Sequence, residues 1–274
     1  MIPRAAITAW RRTAPWADDA QVEQDLVLSR ALVELFLRPA VAEHLAFRGG
    51  TALHKLYIAP PGRYSEDIDL VQTRAGPIGP VADEIRQALG GWLGVPRWSA
   101  GEGRFTLAYR FDTTFAPSVP MRLKIEINTR EHFAVHGFVS RTLAVDNPWF
   151  SGRADLVTYS LSELLATILR ALYQRKKGRD LFDLAHALDH PDLLPDRVVA
   201  AFLHYMGSGG TPVTRAQVEA NMAAKVADPS FTSDVAPLLR TGVVHEPSDA
   251  WNRVQAAIVA HLPGAAWKGV PDGS

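Results

Sequence analysis

The sequence predicts an α+β fold, in which a mixed sheet with flanking helices is followed by a helical C-terminal domain. Up to about residue 155, short apolar segments that alternate with period two stand between helical patterns. From about residue 160, the strong patterns all have the helical period. A length of 274 residues suits two modest domains, and we place the boundary between residues 155 and 156.

The composition narrows the class of protein. The 29 basic and 29 acidic side chains balance, so contact with a nucleic acid would need a local basic patch. The absence of cysteine excludes disulfides and thiolate zinc sites, and it favours a reducing, cytoplasmic compartment. Because no run of about 18 apolar residues occurs, we expect no contact with a membrane.

The first domain is predicted from its periodicities. In the segment 121–128, Leu123, Ile125 and Ile127 alternate with charged or polar residues, which predicts a strand with one buried face. The predicted elements are a helix over 20–37, a strand at 44–47, a helix from 51 to 57, strands over 67–71, 104–111 and 121–128, and a helix over 80–93.

Capping signals and apolar stripes predict the helical domain. Ser160 with Glu163, and Thr214 with Gln217, have the spacing of capping boxes. A leucine-rich stripe follows Ser160 at helical spacing. Further helices are predicted over 179–188, 196–206, 215–226 and 250–261.

Gly49-Gly50-Thr51 is the first candidate functional motif. A Gly-Gly turn after a strand lets the next helix present free N–H groups and the positive end of its dipole, where a triphosphate can approach the backbone. Thr51 adds a hydroxyl, and Lys55 lies one helical turn further along. The alternative interpretation is a plain strand–turn–helix corner.

Ser65-Glu66-Asp67-Ile68-Asp69 is the second candidate motif. Two residues apart on a strand, Asp67 and Asp69 project from one face, while Ile68 faces the core. Because adjacent carboxylates repel each other, one or two Mg²⁺ ions between them would resolve the repulsion, as in polymerase-type sites. An exposed acidic loop fits the apolar neighbours poorly.

Glu126 is the candidate for a third metal ligand. It lies on the polar face of the 121–128 strand, together with Arg122, Lys124 and Asn128. Three acids on neighbouring strands are typical of phosphoryl-transfer sites. The alternative is a solvated sheet face.

A third cluster spans residues 175–183. Asp180 and Asp183 share a helical face, and Lys176 or Lys177 has the charge to contact phosphates. By composition alone, a helix–turn–helix corner with local ion pairs is the better interpretation.

Together these sequence motifs resemble those of the AbiEii toxin family. The resemblance rests on Phe47 to Lys55, Arg63 to Leu70 and Lys177 to Leu184, and it covers residues 25–188. The family, which includes the MenT-type toxins, belongs to the DNA polymerase β-type nucleotidyltransferase superfamily, so the resemblance implies a nucleotidyltransferase-fold sheet. It also implies that the helical domain contributes to the active-site cleft.

The resemblance implies the toxin half of a toxin–antitoxin system, of the abortive-infection type. Members of the MenT type transfer nucleotides from NTP to tRNA 3′ ends, which implies NTP, tRNA and a cognate antitoxin as partners and Mg²⁺ as cofactor. Ser65 matches a position that is phosphorylated in some members. Carried over, the catalytic residues are Asp67 and Asp69, a basic residue that is Lys177 or Lys176, and an acid that is Asp180 or Asp183. The superfamily pattern adds Glu126 as the third carboxylate, so Asp67, Asp69 and Glu126 would hold the metal. The nucleotide-binding residues are Gly49, Gly50, Thr51, Lys55, Ser65, Lys176, Arg179 and Asp183.

Other functions remain open for such a site. The acceptor would be a small molecule or a protein if the surface lacks room for tRNA. An NTP-binding module without turnover would bind nucleotide and magnesium but transfer nothing. A kinase-like reaction would attack the γ-phosphorus instead of the α-phosphorus.

Overall fold

The computed structural model describes residues 2–269, and the chain divides into two compact units. Among the described residues, the first unit comprises 2–159 together with 240–242, and the second comprises 160–239 and 243–269. The division lies after Tyr159 rather than after residue 155, because the last strand of the sheet runs through Tyr159.

The first unit is a seven-stranded mixed sheet with helices. Its helices are α1 (Arg4–Trp10), α2 (Asp19–Phe36), α3 (Pro39–His44), α4 (Gly49–Leu56) and α5 (Gly79–Leu93). Its strands are β1 (Leu45–Arg48), β2 (Asp67–Gln72), β3 (Arg97–Gly101), β4 (Arg104–Asp112), β5 (Pro120–Asn128), β6 (Phe138–Asn147) and β7 (Phe150–Tyr159). The strand order is β3-β4-β5-β2-β1-β7-β6.

Strand pairing places the motif-bearing strands at the centre of this sheet. β2 pairs with β1 in antiparallel and with β5 in parallel orientation, and β1 also pairs in parallel with β7. Ile68, Leu123, Ile125 and Ile127 are fully buried, which confirms the predicted apolar face. The polar residues of β2 and β5 therefore share the opposite face.

Five elements of this unit were absent from the sequence-based prediction: α1, α3, β3, β6 and β7. β3 is exposed along its whole length, so it has no apolar alternation to detect. In β6 and β7 the signal was present, since Leu143 alternates with Val145 and Ala154 with Leu156 at buried positions. The region where we expected the domain boundary is the β6–β7 hairpin.

The second unit is helical, as predicted. Its helices are α6 (Leu161–Gln174), α7 (Gly178–Ala187), α8 (Pro195–Ser208), α9 (Arg215–Val226), α10 (Pro229–Thr232) and α11 (Pro247–Ala257). Thr214 and Gln217 form the predicted capping box of α9. Ser160 Oγ accepts from the backbone N–H of Glu163, whose carboxylate accepts the hydroxyl of Tyr205 at 2.7 Å and so joins α6 to α8.

Between residues 2 and 269, no helix combines the length and the apolar character needed to cross a bilayer. The longest described helix, α2, has 18 residues, and its buried positions include Glu23, Gln24 and Asp25.

Candidate active site

Strand register brings Asp67, Asp69 and Glu126 together on one face of the sheet. Asp69 of β2 lies directly opposite Glu126 of β5, and Asp67 lies opposite Lys124. The side chains of Asp67 and Glu126 are 31% and 27% exposed, so both remain open to a ligand. The sequence prediction that three acids lie on neighbouring strands is thus matched by the positions of these residues.

Gly49 links the glycine turn to the carboxylates. Its φ of +79° is rarely accessible to other residues, and a Cβ added there would lie 2.6 Å from Asp69 Oδ2. α4 starts at this residue, and no side chain in the described part of the chain caps it. Its first N–H groups are therefore available to an anion beside Asp69.

Asp69 is the most strongly perturbed acid of the group. Burial and the charge of Asp67 raise the pKa of Asp69 to about 6, against the opposing effect of Arg48. A buried carboxylate beside two other acids is costly when ionised, and a bound cation would remove that cost.

Lys124 is a cation of this cluster that the sequence analysis did not assign to the site. Its Nζ lies 2.8 Å from Glu126 Oε2 and 3.7 Å from Asp67 Oδ2. Burial alone would lower the pKa of Lys124, but its hydrogen bond to Glu126 and the charge of Asp67 raise it, so the ammonium stays protonated. The sequence spacing could have placed Lys124 in the site, because residues 124 and 126 share one face of a strand.

Arg48 supplies a second cation on the other side of Asp69. It lies opposite Asp69 in the pairing of β1 with β2, and its Nη1 is 2.8 Å from Glu131 Oε2. Glu131 thus compensates part of the Arg48 charge, and Asp69 remains only partly neutralised.

Thr51 and Ser65 connect the two motifs. The Thr51 hydroxyl donates to the backbone oxygen of Asp67 at 2.7 Å, and the Ser65 hydroxyl lies 2.6 Å from Thr51 Oγ1. Because Thr51 is 2% exposed, its observed role is to fix the start of α4 against the start of β2. A direct contact of either hydroxyl with a nucleotide stays a prediction.

Lys55 points into a buried ion pair. Its Nζ donates to Asp25 Oδ1 at 2.7 Å and to Ser29 Oγ at 2.9 Å. Asp25 also accepts the indole N–H groups of Trp10 at 2.8 Å and Trp16 at 3.4 Å. In this arrangement Lys55 supports α4 against α2. For the predicted contact with a nucleotide, the Lys55 ammonium would have to leave Asp25 and Ser29.

In the second unit, Asp180 is buried and neutralised by Arg175, which donates to its two carboxylate oxygens at 2.8 and 2.7 Å. Burial raises the pKa of Asp180, although Arg175 opposes the shift. Asp183, one helical turn further along α7, is also buried.

The basic residues before Asp180 face nearby acids. Lys176 pairs with Asp228, and Lys177 Nζ lies 3.4 Å from Asp234 Oδ1. The backbone N–H of Arg179 also points to Asp234, at 3.4 Å. These contacts fit local ion pairing, and a role of this cluster toward nucleotide stays a prediction from the resemblance.

The donor set of the first unit fits a divalent cation in its chemistry. Mg²⁺ prefers carboxylate oxygens, and Asp67, Asp69 and Glu126 supply them from adjacent positions. Across residues 2–269, however, no three His, Cys, Asp or Glu side chains are arranged to hold a metal as they stand. Two of these carboxylates, Asp67 and Glu126, have Lys124 as a cationic partner.

Comparison with known protein families identifies the chain. The model of the nucleotidyl transferase AbiEii toxin family, a type IV toxin–antitoxin system, matches residues 30–259. The protein belongs to the AbiEii family. It is therefore a nucleotidyltransferase of the toxin–antitoxin type. Nucleotidyltransferases of this family generally use NTP and a divalent metal, and membership of a toxin–antitoxin family implies an antitoxin partner.

Solved structures agree on the fold. MenT4, a nucleotidyltransferase toxin from Mycobacterium tuberculosis H37Rv, superposes with a TM-score of 0.70 at 19% identity, covering 96% of this chain and 91% of MenT4. JHP933 from Helicobacter pylori gives 0.55 at 15% identity over 88% of this chain and 90% of that one. A putative nucleotidyltransferase from H. pylori gives 0.54 at 14% identity, over 88% and 93%. None of the proteins with curated functions matches the sequence significantly.

Proposed function

We propose that this AbiEii protein transfers a nucleoside monophosphate from NTP to RNA, with the tRNA 3′ end as acceptor, and that the reaction depends on Mg²⁺. The observation that carries the proposal is the contact between the Gly49 turn and Asp69. An uncapped helix start for phosphates and a carboxylate cluster for a cation meet there.

The reaction requires a phosphate cradle and charge neutralisation. The N–H groups at the start of α4 bind the triphosphate, and Arg48 and Lys124 add positive charge on either side of Asp69. An acceptor hydroxyl then forms a bond to the α-phosphorus while the bond to the bridging oxygen breaks and pyrophosphate leaves with the electron pair. Glu126 is the candidate to receive the hydroxyl proton. Positioning and electrostatics supply most of the catalysis in such transfers.

Asp67, Asp69 and Glu126 are the residues that would hold Mg²⁺. The ion would supply neutralisation of the triphosphate charge. For that, Lys124 has to release at least one of its two carboxylate partners, and its ammonium then remains beside the phosphates.

Two further parts of the proposal concern the cellular setting. We infer that the protein acts in the cytoplasm, where NTP and tRNA are found, and that an antitoxin encoded beside it restrains it. Expression in a bacterial host checks both parts: growth arrest should require Asp67, and co-expression of the neighbouring gene should relieve it. Arrest that persists with Asp67→Ala would contradict the proposal.

A transfer assay tests the activity directly. The protein is incubated with Mg²⁺, unfractionated tRNA and each α-³²P-labelled NTP in turn, and the products are separated on a denaturing gel. Label on tRNA that disappears in Asp67→Ala would support the proposal and name the base. NTP binding with no label on any RNA would favour a small-molecule or protein acceptor, or a binding module without turnover.

A further inference from the structure

Two arginines lie side by side on the sheet face that carries the carboxylates. Arg110 of β4 pairs directly with Arg122 of β5 in the strand register. Arg122 is two residues from Lys124, whose ammonium contacts Asp67, so the arginine pair shares the face of the candidate active site.

This arrangement is unfavourable without an anion. Like charges directly opposite each other on neighbouring strands destabilise a sheet. Both arginines are exposed, and within residues 2–269 neither side chain has an acidic partner at ion-pair distance. Glu66 lies nearby but pairs with neither of them.

The arginine pair borders a cavity of about 480 Å³, which Gln24, Glu66, Pro120 and Met121 also line. From the strand spacing and the rise along a strand, the Cα atoms of Arg122 and Arg110 lie roughly 8 and 12 Å from that of Asp67. The cavity is therefore next to the reacting groups rather than at them.

We infer that the arginine pair binds the phosphodiester backbone of the RNA acceptor, one or more nucleotides before the hydroxyl that reacts. This rests on the proposed function, and it adds the residues that select a polyanionic acceptor. Two phosphates on one strand of RNA match two guanidinium groups that point from one sheet face. A chain with zero net charge needs such a local patch to bind RNA.

Binding of 5′-fluorescent tRNA, followed by anisotropy at several salt concentrations, tests the inference. For the double variant Arg110→Ala/Arg122→Ala we expect at least about tenfold weaker binding, and a salt dependence shallower by roughly 1.5 in log–log slope. The affinity for NTP with Mg²⁺ should stay within twofold. The matched control is Arg153→Ala, an exposed arginine of β7 without an acidic partner among the described residues, which should leave tRNA binding unchanged.

Three outcomes would overturn the inference. In the first, tRNA binding is unchanged in the double variant while the wild-type protein labels tRNA, so only the position of the RNA is wrong. In the second, NTP affinity falls in the double variant, which assigns the arginines to the triphosphate. In the third, the wild-type protein neither binds nor labels tRNA, which also contradicts the proposal that RNA is the acceptor.

Discussion

At the scale of single residues, Gly49 is the position where both the fold and the candidate site depend on the absence of a Cβ atom. We expect Gly49→Ala to destabilise the protein by at least about 1–2 kcal/mol, since the residue has a left-handed conformation. It should also abolish NTP binding, because the new Cβ would displace the Asp69 carboxylate. Thermal unfolding and nucleotide titration measure the two effects.

The control for this substitution is Gly91→Ala in α5, where an added Cβ meets no atom within 4 Å. Alanine has the higher helix propensity, so this variant should be as stable as the wild type or more stable, by up to about 1 kcal/mol. Equal behaviour of the two variants would show that Gly49 has no special role.

Lys124 gives a second prediction at this scale. Its ammonium bridges Asp67 and Glu126, so removing it should leave these two acids, which lie beside Asp69, without their shared cation. We expect Lys124→Met to bind Mn²⁺ several-fold more tightly than the wild type in a calorimetric titration, and to lose thermal stability that Mn²⁺ restores. Lys268→Met, which removes an exposed lysine of the second unit that belongs to no candidate site, is the control. Weaker Mn²⁺ binding in Lys124→Met would contradict this view of Lys124.

At the scale of elements, the Asp25–Lys55 ion pair holds α4 against α2, and the Trp10 indole joins α1 to the same carboxylate. Breaking a buried pair leaves an uncompensated charge, so Asp25→Asn should cost about 3 kcal/mol of unfolding free energy. Adding Lys55→Met should recover part of that loss, whereas Asp83→Asn, in an exposed pair on α5, should change stability by less than about 0.5 kcal/mol. Additive effects of Asp25→Asn and Lys55→Met would argue against a coupled pair.

Glu219 connects three segments of the second unit. It accepts hydrogen bonds from Arg215 of α9, from Gln255 of α11 and from the backbone N–H of Trp267. Burial would raise the pKa of Glu219, but these hydrogen bonds, that of Arg215 foremost, lower it below the ordinary value of a glutamate. Because the folded-state pKa is the lower one, the stabilisation is present above the unfolded value and is lost as pH falls through the folded value.

The corresponding measurement compares Tm between about pH 6 and pH 3 for the wild type and Glu219→Gln. The wild type should lose more stability over this range than the variant does, and the two curves should converge at the acidic end. Parallel curves would mean that Glu219 does not contribute to the pH dependence.

The elements also show what could be predicted from the sequence. β2, β5 and α4 were predicted close to their observed bounds, because strong period-two or helical patterns adjoin Gly49 and Asp67. β3 could not be predicted, since all its residues are exposed and no apolar face alternates along it.

At the scale of the whole molecule, two features lay beyond the sequence patterns. Residues 240–242 return to the first unit, where the backbone N–H of Arg240 donates to Gly62 O at 3.0 Å, and no local pattern encodes such a distant contact. The engagement of Lys124 with two acids also depends on the register of β2 and β5. The family and its nucleotidyltransferase activity, in contrast, could be predicted from three short sequence motifs, and the match to the family confirms both predictions.

The central claim is that the Gly49 turn and the β2 aspartates form a centre for transfer at the α-phosphorus. The most direct test compares NTP labelled at the α- or the γ-phosphorus, with tRNA as acceptor, in the wild type and in Asp69→Asn. The account predicts that the α-label becomes covalently attached, that the γ-label is released as pyrophosphate, and that Asp69→Asn does neither. Transfer of the γ-label, or an unchanged reaction in Asp69→Asn, would contradict it.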